Sequence, residues 1–413
     1  MRWRCRPGCR KASPDGPYGA AMTDKPHGAM YRVIAPHQHN RVTYAELFFD
    51  LVFVFAITQI SHTLLAHFTP LGVLQVTLLF LAVWWVWVFT TWVTNWLDPE
   101  KTPVRLLLFA MMLGGLVLST SIPKAFEDRG LWFAIAYAAM QVGRTIFLWL
   151  STPVSRPRIR MNAVRITIWL STSAVFWIAG GLAEGPWRMA LWALALVIEY
   201  VSPALRFWIP RHGASSVADW VIEGGHMAER CALFIIIALG ESILVTGATF
   251  AELAWTNEHI LAFVSSLAGS IAMWWIYFHI GAEAGSEQLS SSDEPGRLAR
   301  LAYTYLHMPI VAGVIVTAVA DELVLHHPGG HSDLKTVASA IGGPLLYLCG
   351  TILFKYSFRG FLQLSHGAGI VALCVLGWFA SGISPLQLSI LTTAILIVVA
   401  AWESVSLRSG SEQ

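Results

Sequence analysis

From residue 46 to residue 407 the chain alternates long apolar runs with short polar connectors. Each run is long enough to carry a helix across a bilayer, which takes about 20 apolar residues at about 1.5 Å per residue. The runs predict helices over 46–68, 71–96, 103–121, 130–151, 161–182, 186–206, 226–251, 258–283, 298–320, 334–355, 361–381 and 385–407. The expected fold class is all-α: a polytopic membrane helical bundle of about 12 transmembrane helices. Residues 1–40 differ, being rich in Arg, Pro, Gly and Ala, aperiodic, and without the apolar core of a cleavable signal. They are expected to form a disordered cytoplasmic tail, in which Met22 and Met30 are alternative starts.

The two halves of the pattern resemble each other. Ala45-Glu46 at the start of the first helix matches Ala228-Glu229 at the start of the seventh. Trp84-Trp85 with its following apolar residues matches Trp274-Trp275, and Thr145-Ile146-Phe147-Leu148 matches Thr351-Ile352-Leu353-Phe354. These echoes predict two six-helix repeats, over 41–210 and 211–413. Because six is even, the copies run parallel, related by an axis along the membrane normal.

Composition narrows the class. With 55% hydrophobic and 13% charged residues and 19 Trp among 413, the chain is too apolar for a soluble globular domain. A net charge of +2 with no basic patch interleaved with aromatics excludes a nucleic-acid partner. Placed on the predicted connectors, 21 Lys and Arg fall on one side of the membrane and 4 on the other, so both termini are expected in the cytoplasm. The five Cys form no C-x-x-C pair, and neither a disulfide framework nor a zinc site is expected. The segment from Asp321 to Asp333 holds His326, His327 and His331, but adjacent imidazoles share one ion poorly, so neither a metal nor a cofactor is expected. P-loop, H-E-x-x-H, G-x-S-x-G and T-V-G-Y-G motifs are absent, and the chain is expected not to be an enzyme and to have no catalytic residues.

Candidate chemistry rests on ionisable residues within the apolar runs, which usually face a cavity, pair with one another or mark a path. Glu241 is the deepest, flanked by Gly240, Ser242, Thr246 and Gly247. It follows Arg230 by eleven residues, which puts the two within about 20° on one helix face and about 16 Å apart. Glu229 and Arg230 stand at the start of that helix. Glu46 and Asp50 lie one turn apart at the start of the first helix, with Ser61 further along the Asp50 face. Their alternative reading is helix capping and anchoring, with Arg41 as neutralising charge. Arg144 in the fourth helix is expected to act either as an anchor or as a counter-ion, including to Glu241. Glu199, Glu283 and Glu403 are expected at the interface, and the Trp-rich second helix is expected to belt the membrane surface at its ends.

Arg41-Val-Thr-Tyr-Ala-Glu46-Leu-Phe-Phe-Asp50, together with His226-Met-Ala-Glu229-Arg230 and Leu239-Gly240-Glu241-Ser242, resembles the bacterial low temperature requirement protein A (LtrA) family. That resemblance spans about residue 37 to the end and implies a bacterial inner-membrane protein of a family without an established activity. The first helix is also similar to that of the endolysosomal potassium channels, but Phe49 stands where their motif has Ser, so no potassium filter carries over. The resulting expectation is a channel or carrier for a small cation or proton. Glu241 is its deep site, Asp50 and Glu46 its cytoplasmic mouth, and Arg230 or Arg144 the tuning charges. Alternatives are an intramembrane enzyme on a lipid-linked substrate and a non-catalytic membrane or stress-response scaffold. Membrane lipid is the expected surrounding partner, and a homo-oligomer is compatible with the pattern.

Overall fold

The computed structural model describes residues 30–32, 41–216, 222–279 and 295–411. The remainder of the predicted tail and Glu283 lie outside the described residues. Among the described residues the long elements are all helices: α1 (Tyr44–Ala66), α2 (Pro70–Trp96), α3 (Thr102–Ser121), α4 (Gly130–Ser151), α5 (Pro157–Leu182), α6 (Gly185–Val201), α7 (Gly224–Glu252), α8 (Asn257–Phe278), α9 (His307–His326), α10 (Leu334–Arg359), α11 (Leu364–Phe379) and α12 (Pro385–Ser411). Their starts follow ordinary capping chemistry. Thr43, Thr69, Thr256 and Asp333 accept a backbone N–H at the first turn of α1, α2, α8 and α10. Proline occupies the first turn of α2, α3, α5 and α6, where its missing N–H costs nothing.

Among the described residues eleven helices are long and apolar enough to cross a membrane, one fewer than the count expected. The missing one is α6, whose 17 residues give about 25 Å against a hydrocarbon core of about 30 Å. Predicted to run to 206, it stops at Val201, ahead of Pro203 and a turn in which Arg206 and Phe207 take positive φ. A second correction concerns α9. A turn of π-helix, Arg300–Tyr305, precedes it, where Pro309 has no N–H to return to the Tyr305 carbonyl. The helix then runs to His326, so Asp321 lies inside a helix instead of in a connector.

The core is built around α2 and α9. From Trp84 to Val88 every side chain of α2 is buried, so its indoles pack the interior. They also tie the two halves together. Trp84 Nε1 donates to the Thr304 carbonyl at 2.8 Å and Trp92 Nε1 to the Thr304 hydroxyl at 2.9 Å, while the Trp85 ring packs against Tyr305 with centroids 6.0 Å apart. Helix α9 approaches α10 through glycines: a Cβ on Gly313 would stand 2.5 Å from the Tyr347 amide nitrogen, and one on Gly350 2.8 Å from that of Ile310. Outward faces carry Leu71, Leu74, Leu113, Val175, Leu244 and Val371 exposed, as a lipid-facing surface requires.

Candidate functional site

Thr43 and Glu46 open α1 as a reciprocal cap. The Glu46 amide donates to Thr43 Oγ1, and Glu46 Oε2 accepts from the Thr43 amide at 2.9 Å. The same carboxylate is fully buried and meets two further groups. Arg32 Nη2 lies 3.0 Å from Oε2, and His226 Nε2, at the start of α7, lies 2.9 Å from Oε1. Asn95 at the end of α2 fixes the imidazole. Its Oδ1 accepts from the Glu223 amide at 2.9 Å, so its Nδ2 is the atom that faces His226 Nδ1 at 3.2 Å. Nδ1 must then accept, which leaves the Nε2–H tautomer to donate to Glu46. Arg32 Nη2, 3.0 Å from that nitrogen, stands beside the ring as a charge and anchors itself by donating from Nε to the Thr94 carbonyl at 2.7 Å.

Arg32 belongs to the segment expected to be a tail, yet 30–32 are docked. Tyr31 is buried against Leu97, its hydroxyl is 2.5 Å from Thr152 Oγ1, and burial pushes that hydroxyl above its ordinary pKa.

One turn along α1 lies a second ion pair. Arg230 Nη2 donates to Asp50 Oδ1 at 2.8 Å, and Trp87 Nε1 donates to the same oxygen at 2.8 Å. Neither Asp50 nor Arg230 is exposed at all, and the guanidinium sits 5.7 Å from the Trp87 ring centroid. In each of the two ion pairs one carboxylate meets one guanidinium, as burial of charge demands. The hydrogen bonding is less complete: Asp50 Oδ2 and Arg230 Nε and Nη1 are buried with no partner among the described residues.

Helix α2 divides this cluster from another. Trp87 and Thr91 face Arg230, whereas the Val86 carbonyl and the Thr90 hydroxyl accept from Arg144 Nη1 at 3.0 and 2.9 Å. Arg144 also donates to Gln141, whose Nε2 donates to Glu199 at 3.0 Å. Glu199 further accepts from Tyr137 at 2.5 Å, Ser173 at 2.6 Å and Trp177 at 3.0 Å. Among the described residues no group of three or more His, Cys, Asp or Glu gathers closely enough to hold a metal ion.

Over residues 41–401 the chain matches the family model described as bacterial low temperature requirement A protein (LtrA). The chain belongs to the LtrA family. It is 43% identical over 372 residues to uncharacterized protein RA0937 of Rhizobium meliloti (strain 1021), an alignment that covers 89% of this chain and 90% of that protein. No solved structure matches.

In this LtrA-family chain the fold brings together Glu46, Asp50 and Arg230 from the residues singled out in the sequence. It sets the others apart. Glu229 is exposed and caps the Val42 amide at 3.1 Å, one residue and about 100° from Arg230. Arg144 lies across α2 and is bonded there, not to Glu241. Glu241 is 5% exposed and has no hydrogen bond or ion pair among the described residues. Glu199 and Glu403, expected at the interface, are buried, and Glu403 pairs with Lys355 at 2.8 Å. Sequence reasoning missed Arg32, His226 and Asn95 as members of the site. Asn95, a lone amide ending an apolar helix, was the visible signal; Arg32 gave none.

Proposed function

We propose that this LtrA-family chain moves a small cation, the proton foremost, through a bacterial inner membrane as a channel or carrier, with Asp50, Arg230 and Glu241 as its stations. The observation that carries the reading is a line of buried polar atoms along α1 and α7 without partners among the described residues. Asp50 Oδ2 and Arg230 Nε and Nη1 begin it. Eleven residues on, about 16 Å along each helix, stand Ser61 on α1 and Glu241 on α7, and Ser242 follows directly. Ser61 Oγ and Ser242 Oγ are likewise buried without a partner among the described residues. Buried polar groups nearly always have a partner, and where protein supplies none, water does. Ionisable groups that meet water inside a membrane are the elements from which proton and ion paths are built. On this reading the chain carries out no covalent chemistry, and its partners are lipid and the transported ion.

The two halves are, on the same proposal, parallel copies. Helix neighbours support this: α1 touches α2 and α3, α3 touches α4, α4 touches α5, α5 touches α6 and α2 touches α6, and the same order recurs from α7 to α12. If α6 completes its crossing through the turn after Val201, the Lys and Arg bias of 21 to 4 puts both termini in the cytoplasm.

Proteoliposomes holding a pH-sensitive dye test the function. Under a potassium diffusion potential the wild type acidifies its lumen, and Glu241→Gln slows this by at least about tenfold without loss of folded protein. Equal fluxes of H⁺, Na⁺ and K⁺ in both proteins, or none in the wild type, overturn it. One observation favours a scaffold instead. The Arg32, Glu46 and His226 contacts are sealed and matched in charge, as in a clamp joining the N-terminal segment, α1 and α7. A scaffold passes no ion in either protein.

A further inference from the structure

Helices α8, α9, α10 and α12 enclose a second polar space, which shares no residue with the ion pairs. Among the described residues that line it, Asp321 supplies the only carboxylate. It is 6% exposed, and its Oδ2 has no partner among the described residues. The hydroxyl residues Thr317, Ser389, Thr392 and Thr393 and the backbone at Ala340 complete the polar lining, around a cavity of about 20 Å³. Roughly 10–15 Å³ on that measure accommodates one water-sized particle, so the cavity holds one.

The chemistry of the lining is one-sided. Thr317 gives its proton to the Gly313 carbonyl at 2.8 Å, Thr392 to the Ser389 carbonyl at 2.9 Å and Thr393 to the Ser265 carbonyl at 3.2 Å. With those protons spent on backbone, the hydroxyls are left with oxygen lone pairs. Pro344, inside α10 and also in the lining, has no N–H to return to the Ala340 carbonyl one turn earlier, so that oxygen lacks its usual helical partner. Among the described lining residues none is basic and none offers nitrogen or sulfur from a side chain.

A carboxylate, a released carbonyl and three hydroxyl oxygens with committed protons form a hard, oxygen-only set that lacks a positive charge. One unpaired negative charge calls for one positive charge, since a divalent ion would leave the buried site with excess charge. We propose that a single monovalent metal cation of the Na⁺ or K⁺ class binds in this cavity, with the Asp321 carboxylate as its charged ligand. The claim concerns binding and stands apart from the transport reading, which uses α1 and α7.

The test is thermal unfolding of the detergent-purified full chain, followed by tryptophan fluorescence, with choline chloride replacing the salt at constant ionic strength. Raising NaCl or KCl from about 1 mM to about 100 mM raises the wild-type Tm by at least about 3 °C, because a ligand that binds only the folded state stabilises it. Asp321→Asn removes that shift. In choline alone its Tm equals or exceeds that of the wild type, because the amide spares the fold the cost of burying a carboxyl that has no cation to hold. A merely structural Asp321 predicts a lower Tm in choline. CaCl2 at the same ionic strength gives no specific shift. The site is disproved if the wild type responds to neither monovalent ion, if Asp321→Asn responds equally, or if Ca²⁺ acts as strongly.

Discussion

Asp50 and Arg230 meet at 2.8 Å with neither side chain exposed, so neither charge is free to be removed alone. Asp50→Asn leaves a buried guanidinium uncompensated and is expected to cost about 3–5 kcal/mol, as is Arg230→Gln. The double variant costs less than the two losses added, with a coupling of at least about 1 kcal/mol in unfolding of the detergent-purified protein. Strictly additive losses would mean that the two charges do not stabilise each other. Asp50 and Arg230 were legible in the sequence as ionisable groups inside apolar helices, though not as partners, because 180 residues separate them. Glu229 shows the complementary failure: adjacent to Arg230 in sequence, it points outward because consecutive helix positions differ by about 100°. Arg32 was illegible for another reason. An Arg in a polar, aperiodic segment carries no mark of the Glu46 carboxylate it reaches at 3.0 Å.

Helix packing gives a sharper contrast between neighbouring residues. A Cβ on Gly343 would come 2.7 Å from the Thr317 amide nitrogen, whereas one on Gly342 would meet nothing within 4 Å. Gly343→Leu therefore forces α10 away from α9 and is expected to cost at least about 3 kcal/mol, the upper end of overpacking penalties. Gly342→Ala is expected to be neutral or to stabilise by up to about 1 kcal/mol through helix propensity. Thermal unfolding of the two variants side by side checks the pair, and similar behaviour would contradict the close approach of α9 and α10. The helices themselves were legible, because apolar runs of membrane length leave little freedom in where a helix lies. Their ends were less so. The stop of α6 at Val201 and the continuation of α9 to His326 depend on Pro203, on the φ of Arg206 and Phe207, and on tertiary contacts that hydropathy does not register.

At the scale of the whole molecule, tryptophan-rich α2 and α9 occupy the middle, with apolar side chains turned outward to lipid. Polar groups in such a body persist only when something satisfies them, and this divides the ionisable residues into two kinds. Glu46, Glu199 and Glu403 have their partners within the protein and hold helices together. Asp50, Arg230 and Glu241 retain capacity that no described residue meets, and the proposed path rests on water meeting it. An experimental structure of the full chain in lipid, at a resolution that shows ordered water, tests this most directly. Water within hydrogen-bond distance of Asp50 Oδ2, of Arg230 Nη1 and of the Glu241 carboxylate is the predicted result. Dry density around all three, with the helices closed upon them, would contradict it.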